Sequence, residues 1–171
     1  MQTLNILNVI VRYTLGIIMM AYGLIKIFQI QFDLPSEVYD LLLREMDGVT
    51  ITWAFLGFSP WFSMLLGVFE FVPAVLLLFR RTKLIGALLL FPMLMAIFLI
   101  NLAYGFLIHM QLFTGILLLM DMVVIFFSRQ ALFGIFNKAL QKAPRHQRIE
   151  LIANILLITG AIVLIVLTIK L

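Results

Sequence analysis

Three ionisable residues, Arg12, Glu70 and Asp121, stand out deep inside long apolar segments of the sequence. A charge at the centre of a bilayer costs at least roughly 2.5–3.5 kcal/mol, so each of them needs a partner, water or a function. A buried carboxylate can also bind a polar ligand group or relay protons. With one base and two acids, we expect Arg12 to pair with one carboxylate and the other to be protonated or hydrogen-bonded. The sequence therefore predicts a polar site in the protein interior.

The first apolar segment places its polar residues on one helical face. At steps of four, three, four and three residues, that face carries Arg12, Gly16, Met19, Gly23 and Lys26. The glycines allow another backbone to approach or leave room for a ligand, and we expect Lys26 to snorkel or to meet an acidic connection. With polar residues from later segments, the candidate cavity is lined by Arg12, Gly16, Gly23, Lys26, Glu70, Asn101, Tyr104 and Asp121.

The composition shows which elements must position these residues. The chain has 171 residues, 64% hydrophobic and 12% charged, whereas soluble domains carry about 45–50% apolar and about 25% charged residues. A membrane-spanning helix needs about 20 apolar residues. Five segments qualify, which are Leu4 to Ile30, Trp61 to Phe79, Leu84 to Ile108, Leu112 to Ser128 and Leu151 to Ile169. The sequence therefore predicts an all-α integral membrane protein, a four-helix bundle core plus a fifth transmembrane helix.

We interpret residues 1–171 as a single membrane domain with three parts. Residues 1–128 form the four-helix core, residues 129–148 a basic amphipathic cytoplasmic connection and residues 149–171 the fifth transmembrane helix. Two connections have helical pattern of their own. Ser36 is expected to cap an amphipathic helix that Gly48 ends, and a second such helix, from Arg129, is expected to stop at Pro144.

The charges of the connections predict the orientation in the membrane. The first connection is acidic, with Arg44 its single base, whereas the second and fourth connections are basic. Lys and Arg are enriched on the cytoplasmic side, so the N-terminus is expected in the cytoplasm, and in a bacterium the protein would lie in the inner membrane. Because the basic residues lie at helix ends, the net charge of +4 indicates lipid contacts and not nucleic-acid binding.

Cysteine and histidine usage limits the chemistry. The chain has no cysteine and two histidines far apart in sequence, so we expect no disulfide, no thiol redox chemistry and no metal site. We interpret His109 as a solvated residue at a helix end. Any electrons handled here would need a bound cofactor or a partner protein.

Two stretches carry a family resemblance. RYTLGIIMMAYGLIKIF, residues 12–28, and GVFEFVPAVLLLFRRTKLIGALLL, residues 67–90, resemble the first three helices of DoxX-like membrane proteins. The resemblance covers roughly residues 10–128. It carries over Arg12, Gly16, Gly23, Lys26 and Glu70 as pattern residues, without an established catalytic role.

Two functions fit the sequence equally well. The resemblance implies a membrane subunit or accessory of a redox assembly, with a polar cavity for a quinone or another lipid-soluble small molecule. The alternative is a non-enzymatic assembly factor or scaffold whose buried charges are structural. Besides the lipid bilayer, the expected partners are another membrane protein or a second copy of the chain. The sequence does not decide whether the protein is an enzyme, and a transporter is a weaker third class because no inverted repeat is present.

The predicted orientation can be tested by cysteine labelling. A single cysteine introduced at Gln141 should react with a membrane-permeant maleimide in intact cells and stay unlabelled by an impermeant one, because the basic connection faces the cytoplasm. A cysteine at Glu37, in the acidic connection, is the matched control and should be labelled by both reagents. Labelling of Gln141→Cys by the impermeant maleimide would show that the orientation is the opposite of the predicted one.

Overall fold

Long helices make up most of the computed structural model, which describes residues 2–141, 152–157 and 159–160. Six α-helices have defined bounds, which are α1 (Gln2–Ile27), α2 (Gly48–Gly57), α3 (Pro60–Leu78), α4 (Lys83–Ala103), α5 (Ile108–Phe127) and α6 (Arg129–Gln141). Residues 152–157 and 159–160 are also helical, and no strand occurs within the described ranges. The predicted all-α class is confirmed.

Among the described residues, four helices are long and apolar enough to cross a membrane, namely Ile6–Ile27 within α1, and α3, α4 and α5. They correspond to the first four predicted spans, and the protein is an integral membrane protein. The fifth predicted span, Leu151 to Ile169, lies mostly outside the described residues.

The chain has two compact units, Met1–Arg129 and Gln130–Leu171. In the first unit, α1 packs against α3 and α5, and α4 packs against the same two helices. Large apolar side chains fill the space between the four helices, among them Leu15, Met19, Leu77, Leu90, Leu94, Leu117 and Val124. A helix, α6, is present where the basic amphipathic one was predicted, and the structure describes it as far as Gln141, whereas Pro144 lies outside the described residues.

Glycines set the spacing of α1 and α3. A Cβ atom on Gly23 would lie 2.7 Å from the carbonyl oxygen of Gly67, and one on Gly67 would overlap the carbonyl oxygen of Gly23. A Cβ atom on Gly16 would lie 3.2 Å from the carbonyl oxygen of Ala74. Of the two roles considered for Gly16 and Gly23, close backbone approach is therefore the one seen in the structure.

The first connection differs from its prediction. Instead of one amphipathic helix from Ser36, two short 3-10 helices form, Ser36–Asp40 and Leu43–Glu45, because Leu41 and Leu42 between them are extended. Leu41 is 45% and Leu42 is 53% exposed, so a continuous helix would have had no interior surface to cover. Ser36 makes no capping hydrogen bond.

Gly48 begins a helix instead of ending one. Asp47 caps α2 by accepting a hydrogen bond of 2.7 Å from the backbone N–H of Thr50, and this bond holds the pKa of Asp47 below its ordinary value. A Cβ atom on Gly48 would overlap the carbonyl oxygen of Tyr104, so α2 packs tightly against the end of α4. The sequence analysis did not predict α2.

Substituting Gly67 by alanine tests the helix spacing. Because the new methyl group meets the backbone of Gly23 and Ile27, the variant should lose about 1–3 kcal/mol of stability, the usual cost of overpacking. Gly134→Ala is the matched control, since Gly134 lies on α6 with no atom within 4 Å of the added Cβ; it should be neutral or stabilising. Reversible unfolding in mixed micelles measures both, and equal stabilities would contradict the close approach.

Candidate functional site

A buried ion pair joins α1 and α3. Lys26, in the last turn of α1, donates to Oε1 of Glu70, one turn beyond Gly67 on α3. The contact of Gly23 with Gly67 brings the two helices close enough for this pair. Lys26 is 5% and Glu70 is 1% exposed, and theirs is the single ion pair within the described residues.

This pair corrects the prediction for Arg12. We expected Arg12 to pair with a carboxylate and Lys26 to snorkel or to meet an acidic connection, but Lys26 pairs with Glu70, and Arg12 makes no ion pair with any described residue. The guanidinium of Arg12 instead lies over the ring of Tyr13, 4.9 Å from its centroid. The reason is that the turn of α3 containing Glu70 packs near the end of α1. The aliphatic part of the Lys26 side chain extends inward from that end.

The inward-facing stripe on α1 is confirmed, because Arg12, Gly16, Met19, Gly23 and Lys26 are all buried. Asp121 on α5 is also fully buried. Within the described part of the chain, neither carboxylate oxygen of Asp121 has a hydrogen-bond partner, and the same holds for Nε of Arg12.

A cavity of about 460 Å³ lies beside the ion pair, within the size range of about 300–1,000 Å³ that is typical of ligand pockets. We call it the pair cavity. Its polar lining residues are Lys26, Gln31, Glu70, Asn101, His109 and Thr114, and its aromatic lining residues are Tyr22, Trp53, Phe106 and Phe113. Polar and aromatic groups of α1, α2, α3, α4 and α5 and of the first connection therefore border one partly open space.

The polar wall is partly bonded within itself. Asn101 donates through Nδ2 to Oγ1 of Thr114 at 3.1 Å, and the Thr114 hydroxyl donates to the carbonyl oxygen of Met110 at 2.9 Å. In contrast, Oε2 of Glu70 and Oε1 of Gln31 are buried and have no hydrogen-bond partner among the described residues. The wall thus holds two acceptors whose bonding capacity is not met.

Of the eight candidate residues, Lys26, Glu70 and Asn101 line the pair cavity. Arg12 and Asp121 are buried but do not line it, and Gly16 and Gly23 serve the packing of α1 on α3. Tyr104 is 45% exposed and lines a second cavity, of about 780 Å³, beside α2.

Sequence reasoning missed several lining residues. Trp53 was not predicted to lie at the site, whereas it lines the pair cavity. His109, interpreted as a solvated residue at a helix end, is exposed and also lines the cavity. Gln31 and Tyr22 were not considered. Trp53 reaches the cavity because α2 folds against the bundle, and the Asp47 cap three residues before Thr50 was the local signal for that helix.

These features define a class of protein, a four-helix membrane bundle with a polar and aromatic cavity beside a buried ion pair. The sequence pattern of the DoxX family matches residues 7–102, more than half of the chain. The chain belongs to the DoxX family.

A relative supports this assignment. The chain is 34% identical over 117 residues to a protein of Bacillus subtilis (strain 168) named Uncharacterized protein YwoB, and the match covers 68% of this chain and 73% of the relative. No solved structure matches the chain significantly.

The ion pair can be tested by a double-mutant cycle. Glu70→Leu alone leaves the buried ammonium of Lys26 uncompensated, so we expect a loss of about 3–5 kcal/mol of stability. The double variant Lys26→Met with Glu70→Leu removes both charges and should recover most of that loss. Glu37→Leu, at an exposed position, is the control and should have little effect. Lys26→Met alone completes the cycle, because it leaves the carboxylate of Glu70 uncompensated and should cost a similar amount. If the two single losses simply add in the double variant, the pair does not couple.

Proposed function

We propose that the pair cavity binds a quinone-like, lipid-soluble small molecule and that the protein is a membrane subunit or accessory of a redox assembly. The observation that carries the proposal is the Lys26–Glu70 ion pair on the wall of a cavity of ligand size. Four aromatic side chains in the same wall can pack against a ligand ring.

The energetic cost of the pair supports a role beyond packing. Two charges removed from water lose solvation, and replacing a buried ion pair by apolar residues is often neutral or stabilising. A purely structural contact between α1 and α3 therefore does not need Lys26 and Glu70. Hydrogen bonding to a ligand is a function that would require charged residues at this position.

The redox part of the proposal rests on the family. The sequence contains no cysteine, so the chain itself supplies no thiol to pass electrons, and the electrons come from another component of the assembly. Reduction of a quinone consumes protons, and a lysine and a carboxylate beside the ring can hold and exchange them. We also propose that the protein lies in a bacterial inner membrane with its N-terminus in the cytoplasm, on the charge of its connections.

Native purification tests the proposal. The full chain, isolated from its own membranes in mild detergent, should carry a quinone-class molecule at close to one per chain, detected by solvent extraction and mass spectrometry. The double variant Lys26→Met with Glu70→Leu should retain at least about tenfold less of this molecule. A tenfold decrease corresponds to a loss of about 1.4 kcal/mol of binding free energy.

A matched control has the same change of charge outside the cavity. Glu37 and Lys138 are both exposed, so Glu37→Leu with Lys138→Met should keep the ligand. Equal retention by both double variants, or extraction of bilayer lipids alone, would contradict the proposal. Co-purification of one stoichiometric protein without a small molecule would favour the scaffold role instead.

A further inference from the structure

We infer that the pair cavity selects a ligand that donates hydrogen bonds, namely a hydroxyl-bearing aromatic ring of the hydroquinone type in preference to the corresponding quinone. The inference rests on the proposed function, since it specifies which form of the ligand the same cavity takes.

The inference is based on two buried hydrogen-bond acceptors that lack a donor. Oε2 of Glu70 and Oε1 of Gln31 are the two polar atoms of cavity-lining side chains that are buried without a partner among the described residues. Both are oxygen acceptors. A buried acceptor that lacks its hydrogen bond costs about 1–3 kcal/mol, so a ligand that supplies donors is stabilised by relieving that cost.

The other side chains of the polar wall do not supply these donors. The amide of Asn101 is bonded to Thr114, and the Thr114 hydroxyl is bonded to the backbone of α5. Lys26 directs its bond to the other oxygen of Glu70, Oε1. Tyr22, Trp53 and His109 also line the cavity and carry an O–H or N–H group, but neither oxygen has a hydrogen-bond partner among the described residues. A ligand in the cavity can therefore supply the donors for Oε2 of Glu70 and Oε1 of Gln31.

A hydroxyl group matches this wall better than other polar groups do. It donates to a carboxylate or amide oxygen, and its own oxygen accepts from the remaining N–H groups of the Lys26 ammonium. A quinone carbonyl can only accept hydrogen bonds, so it leaves Oε2 of Glu70 and Oε1 of Gln31 without a donor. Charged ligand groups are disfavoured by repulsion between like charges, because Lys26 repels an ammonium group and Glu70 repels an anion.

The test compares three probes on the full chain in lipid nanodiscs under anaerobic conditions. They are decyl-benzohydroquinone, decyl-benzoquinone and the dimethyl ether of the hydroquinone, which keeps the ring and the tail but cannot donate. Isothermal titration calorimetry should show the hydroquinone binding about tenfold more tightly than either of the other two, as expected for more than one recovered hydrogen bond.

Gln31→Leu isolates one acceptor without disturbing the ion pair. It should reduce the preference for the hydroquinone over the quinone by about threefold to tenfold. Gln130→Leu, the same exchange at an exposed position of α6, is the control and should keep the full preference.

The outcomes separate this inference from the function on which it rests. Binding of the quinone or the ether as tightly as the hydroquinone would overturn the inference and leave the proposed function standing. A preference unchanged in Gln31→Leu, or reduced equally in Gln130→Leu, would also overturn it. Binding of none of the three probes, with water filling the cavity, would overturn both.

Discussion

The cost of placing charge in a bilayer is the constraint on which this structure depends. Lys26 and Glu70 are both buried and can remain so because each compensates the other. Their contact requires α1 and α3 to approach closely, which the paired glycines Gly23 and Gly67 allow next to the ion pair. The ion pair, the glycine contact and the helix spacing therefore form one unit, and a change in any of them affects the other two.

Most of the fold could be predicted from local sequence. The length of each apolar segment is a property of that segment alone, and it indicated the four spans found in the described part of the chain. Helical periodicity is equally local, and it placed Arg12, Met19 and Lys26 on the buried face of α1. Neither property depends on which helix packs beside which, and this is why both predictions hold.

The pairing of charges could not be predicted in the same way. The sequence showed that Arg12, Glu70 and Asp121 lie inside apolar segments, but this does not determine which side chains face each other. The packing of α1 on α3 decides that, and it assigns Glu70 to Lys26. Trp53 and Gln31 were missed for the same reason, because they reach the cavity only after the first connection folds onto the bundle.

The first connection is therefore part of the candidate site. Lys26 and Glu70 alone would form a structural pair inside a helical bundle, and Asn101 with Thr114 would form an ordinary contact between α4 and α5. Gln31 and Trp53 enclose the space between these groups, and they lie in the first connection and on its helix α2. The helices thus supply the charged residues, and the first connection supplies part of the wall of the cavity beside them. Ligand preference within such a bundle can then change through residues of the connection while the charged pair stays the same.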